Sequence, residues 1–141
     1  MPAEPRSIPK AFARLAAEGA DAGRIAAAAF ATWRNIEAAL SPIIGLGGVS
    51  ALYRRSVYLS RESFPFLAVL YDGALGPSDF AALQLVLSRQ SSKDAAAASG
   101  ALLQTFHDLL TNLIGESLSE RLLKSIWDSP SSGLAAPEQL P

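Results

Sequence analysis

The chain contains no cysteine. That excludes a disulfide scaffold, a thiolate zinc centre and a cysteine nucleophile, and it fits a reducing compartment. Histidine occurs once, as His107, so the metal sites built from several histidines are excluded as well. Charge is scarce: charged residues make up 18% of the chain and the formal net charge is −1. A chain this neutral lacks the basic footprint of a nucleic-acid binder and has no polyacidic tail. Long apolar runs are missing too. The longest uncharged run, AALSPIIGLGGVSALY at 38–53, is shorter than the ~20 apolar residues of a membrane span and carries a proline and three glycines. No membrane span is therefore expected. The N-terminus has no continuous apolar segment of the secretory type, which leaves the cytoplasm as the expected location.

What is present is apolar and helical. Half of the 141 residues are hydrophobic, enough for one domain with a real core and too few residues for two. Both ends are rich in proline, serine or glycine and are expected to be disordered, over 1–7 and 129–141, with a single helical domain over 8–128. The apolar period is helical almost throughout. It predicts helices over 9–18, 21–40 and 42–61, with Ser41 as an N-cap and Pro42 in the first turn of the third. Ile25, Ala29, Trp33, Ile36 and Leu40 would line one face of the second helix. Leu46, Val49, Tyr53 and Val57 would line the third. FPFLAVLYDG at 64–73 reads as a buried turn or short helix, and Asp72-Gly73 and Gly76-Pro77 punctuate the loop after it. A fourth helix is expected over 78–88 and a fifth over 92–114, stopped by Gly115. Ser117 and Glu120 have capping-box spacing for a last helix ending near Trp127. The fold class that follows is all-α, an antiparallel bundle of five or six helices.

The charge is unevenly spread. Residues 1–61 carry eight Lys/Arg and four Asp/Glu; residues 62–141 carry four and nine. Halves of opposite sign favour association within one fold or between copies.

Two stretches carry candidate chemistry. In Gly45–Arg55, GLGGVSALYRR, the Walker pattern is incomplete and no strand precedes, so Gly45, Gly47 and Gly48 are expected to allow close helix crossing. Beyond them Arg54, Arg55 and Arg61, with Tyr58 between, form a cationic side that suits an anionic ligand or an acidic partner surface. Three arginines are too few for DNA. On a helical wheel of the fifth helix, His107 falls just past the edge of the apolar arc. HDLLTNL, His107 to Leu113, resembles the H-box of sensor histidine kinases at His107, Asp108, Leu109, Thr111 and Leu113, with Leu110 and Asn112 in place of the usual arginine and proline. The resemblance implies His107 as phosphoacceptor, Asp108 as the acid that holds the ring and Thr111 as the residue that positions it. No ATP-binding segment follows, so a separate kinase would be needed.

No catalytic triad, metal set or paired carboxylates stand out, and no cofactor or metal is expected. The expected function is a non-enzymatic regulatory or protein-interaction module, homodimeric, in bacterial-type signalling with a signalling protein as partner. The alternatives are a phosphorelay domain using His107 and a small-ligand sensor with a pocket near Tyr58, Phe66 and Tyr71.

Overall fold

A computed structural model describes residues 7–72 and 80–128, with side chains over 12–70 and 80–124. The expected disordered tail at 129–141, the loop at 73–79 and the start of the fourth helix at Ser78 lie outside the described residues, as do the side chains of Tyr71 and Trp127. All of the secondary structure described is helical. The helices are α1 (Ser7–Ala17), α2 (Ala22–Ser60), α3 (Ala68–Asp72), α4 (Phe80–Ser88), α5 (Ser92–Ile114) and α6 (Glu116–Asp128), with a 3-10 turn at Pro65–Leu67 before α3. The chain is all-α.

Local chemistry sets the ends. After α1, Gly19 adopts φ 95°. Its N–H donates to the Ala16 carbonyl while that of Ala20 donates to Leu15, the paired bonds of a Schellman motif. Asp21 caps α2 by accepting from the Arg24 N–H at 2.8 Å, and Ser91 caps α5 by accepting from the Asp94 N–H at 3.1 Å. α1 starts at Ser7, slightly earlier than its proline predicts. α5 has the expected bounds. The expected capping box is absent: α6 begins at Glu116, directly after Gly115, so Ser117 lies inside the first turn and is exposed.

The expected break at Ser41-Pro42 is displaced. Helical geometry runs through Pro42, and the non-helical residue within α2 is Gly45, at φ 81° and ψ 159°. Proline costs one N–H but keeps a helical φ, whereas reversing the chain needs a backbone conformation that essentially only glycine adopts. α2 is therefore two arms, 22–44 and 46–60, and they fold back on each other. A straight helix would separate Trp33 from Tyr53 by ~30 Å; their ring centroids are 5.1 Å apart. Gly115, at φ 95° and ψ 153°, makes the same one-residue turn between α5 and α6.

The core gathers at this hairpin. Trp33 meets Tyr53 and Phe106 edge-on and stacks on Phe80 at 5.6 Å, and Tyr53 meets Phe80 edge-on. Four rings thus tie both arms of α2 to α4 and α5. Edge-to-face pairs of this kind add ~0.5–1.5 kcal/mol each beyond area burial. Ile25, Ala29, Ile36 and Leu40 on the first arm, and Val49 and Val57 on the second, are buried around them. Leu46 is not: it sits at the tip of the hairpin, 59% exposed, because the second arm starts there and its core-facing stripe begins one turn later. Leu67 and Leu70 are buried, with Phe64 and Phe66 packed half-buried beside them. Two buried hydroxyls are satisfied locally: Thr32 donates to the Ala28 carbonyl and Ser56 to that of Leu52.

Candidate functional site

Three places on this scaffold bear on function: the histidine of α5, the arginines of the second arm of α2, and a groove between α1 and α5.

His107 is not at the boundary the helical wheel gives it. It is 4% exposed. The wheel counts only the large apolar residues of α5. In the fold α5 packs against α2 and also against α1. With α6 packed on it as well, α5 buries Ala95, Ala96, Ala98, Ser99 and Gly100 along with Leu102, Leu103, Phe106, His107 and Leu110, and the small residues among them are invisible to the wheel. Leu113, by contrast, is 60% exposed. Asp108 is largely exposed, with Oδ1 3.9 Å from the imidazole Nδ1 and accepting from the Gln104 amide at 3.1 Å. Thr111 donates to the Ser119 hydroxyl of α6 at 3.4 Å. A phosphoacceptor imidazole must meet a partner's phosphoryl group, and burial at this level keeps it from doing so in this conformation.

Of the three arginines expected on one side with Tyr58, two come together over its ring. The Arg61 guanidinium lies 4.2 Å from the centroid of the Tyr58 ring and that of Arg55 lies 5.6 Å from it. Two cations thus share one aromatic ring along the helix, at ~0.5–1 kcal/mol each where exposed. Arg54 is half-buried and Arg55 exposed. On the first arm Arg34, also exposed, lies 5.8 Å over Phe30 in the same manner. Among the described residues no group of carboxylates and imidazoles has the makings of a metal site.

The expected role of the glycines fails at two positions and holds at one. A Cβ at Gly45 or Gly47 would meet nothing within 4 Å, whereas one at Gly48 would come within 3.1 Å of the Ile44 side chain on the first arm. Gly48 thus permits the arms to approach closely near the turn, and Gly45 makes the turn itself.

The groove was not apparent from sequence. It has a volume of about 790 Å³, is open to solvent, and is floored by Ala13, Ala16 and Ala17 of α1 and Ala96, Ala97 and Ala101 of α5. Lys93, Gln104 and Thr105 stand on its rim. The alanines read as helix formers, and only the pairing of α1 with α5 turns them into a surface. A second, more polar cleft of about 390 Å³ lies at the α1–α2 turn. Neither is lined by Tyr58 or Phe66, the residues of the expected ligand pocket.

No protein-family model, curated protein or solved structure matches the chain.

Proposed function

We propose that the chain is a non-enzymatic interaction module, an antiparallel helical bundle that acts by docking and that pairs with a second copy of itself. The groove between α1 and α5 carries this reading. Six of its ten lining residues are alanine, and small side chains let a helix backbone approach closely. A two-fold pairing that sets one α1/α5 face against the same face of another copy would fill both grooves at once. Apolar surface left outside a completed core supports it: Leu59, Val69, Leu85 and Leu113 are each between 40% and 61% exposed. A regulatory role in the cytoplasm, with a signalling protein as further partner, is the setting this chemistry suits.

Light scattering coupled to size exclusion tests it. At micromolar concentration the chain is expected to run as a dimer. Ala97→Glu places a carboxylate on the groove floor at an exposed position and is expected to give a folded monomer. A monomeric parent chain ends the proposal.

A further inference from the structure

We propose that the α2 elbow is a wedge that docks on a lipid bilayer bearing anionic headgroups. The elbow is the tip of the hairpin around Gly45. Ile43 and Leu46, on either side of the glycine, are 51% and 59% exposed, and Pro42 and Gly47 beside them are exposed too. No charge occurs from 38 to 53. By length and composition α2 is apolar enough to cross a membrane, yet only 28% of its most apolar 18-residue window is buried in the protein. Of the three large apolar side chains that α2 leaves exposed, Ile43 and Leu46 flank the elbow and are the most exposed, while Leu59 lies near the far end of the second arm.

Charge identifies the occupant. The contact of Trp33 with Tyr53 sets the two arms in register, so Arg34 on one arm stands level with Arg54 and Arg55 on the other. At 1.5 Å per residue these arginines lie about 14–17 Å from the tip. An apolar wedge enters a membrane interface by about 5–10 Å, which brings the arginines to the headgroup layer, within about one Debye length of the anionic phosphates. Glu37, half-buried, is the one acid in the chain between Arg34 and Arg55, and each flank of the hairpin end keeps an exposed cation, Arg34 on one arm and Arg55 on the other. Phe30 under Arg34 and Tyr58 beside Arg55 add an aromatic to each flank, the pairing that favours an interface between apolar and wet. An apolar cleft in another protein would fit the tip but would leave cations on both flanks unused.

Co-sedimentation of the full chain with vesicles tests the wedge. Phosphatidylcholine vesicles containing phosphatidylserine are expected to pull the protein down, and phosphatidylcholine alone to do so weakly. The double variant Ile43→Ser/Leu46→Ser should lower the partition onto anionic vesicles about 30-fold, since two half-exposed aliphatic side chains no longer insert. Arg34→Gln/Arg55→Gln should remove most of the preference for phosphatidylserine and most of the sensitivity to salt. All of these positions are exposed, and circular dichroism checks that helicity is kept. Leu85→Ser, at an exposed apolar residue on α4 away from the elbow, is expected to leave vesicle binding unchanged. Failure to bind anionic vesicles at low salt overturns the wedge. So does equal loss on Leu85→Ser, or an elbow variant that dissociates a dimer while vesicle binding stays as it was. The groove variant Ala97→Glu should still bind vesicles, which separates this proposal from the pairing through α1 and α5.

Discussion

Gly45→Ala has opposite expected effects in a straight helix and in the folded hairpin. In a continuous 39-residue helix, replacing an interior glycine by alanine stabilises by about 0.5–1 kcal/mol, through propensity and a less flexible unfolded chain. At the observed φ 81° and ψ 159° the same change forces a Cβ into a conformation nearly closed to non-glycine residues, at about 1–3 kcal/mol. Space is not the issue, since an added Cβ would meet nothing within 4 Å. The cost is backbone strain alone. Gly47, two residues on, has equal space and a negative φ, so Gly47→Ala is the internal control. Urea unfolding followed by circular dichroism should show Gly45→Ala less stable than the parent by about 1–3 kcal/mol, and Gly47→Ala as stable or more so. For a domain of this size that separates the two melting temperatures by roughly 5–15 °C. If both substitutions stabilise, the chain does not reverse at Gly45, and the pairing of Trp33 with Tyr53 is refuted with it.

Further outcomes follow from the same packing. Gly115→Ala should destabilise by about 1–3 kcal/mol for the same reason as Gly45→Ala, read in the same denaturation experiment. Phe106→Ala should cost about 3–5 kcal/mol, because the ring is fully buried against Trp33 and leaves a cavity; a loss under about 1 kcal/mol would show that the aromatic cluster does not hold the core. Ser99 is buried, and its hydroxyl has no hydrogen-bond partner among the described residues, so Ser99→Ala should be neutral or stabilise by up to about 1 kcal/mol in thermal melts. Incubation with phosphoramidate should give no acid-labile adduct on the parent chain by intact mass. An adduct on the parent that disappears in His107→Asn would restore the phosphoacceptor role of His107.

Composition and periodicity determined the helical class, the bounds of α5, the need for two helices across 22–60 and, Leu46 apart, the core stripe of each. These are local properties. Apolar residues recur every three or four positions, and Asp21, Ser91, Gly19 and Gly115 end helices through their own backbone and side-chain chemistry. The clustering of Arg55, Tyr58 and Arg61 was legible for the same reason, since residues three apart on a helix are neighbours. Only the tertiary structure decided the rest. Which of Pro42 and Gly45 turns the chain depends on the positive φ that the fold-back demands. Whether His107 is wet or buried depends on the helices that pack around α5, namely α1, α2 and α6, and no wheel drawn for one helix contains those contacts. The alanine groove exists only where α1 meets α5. The apolar elbow is exposed only because the core closes one turn before it, at Leu40 and Val49. Sequence records what each segment prefers to bury, but the partner that buries it belongs to contacts between residues far apart in the chain.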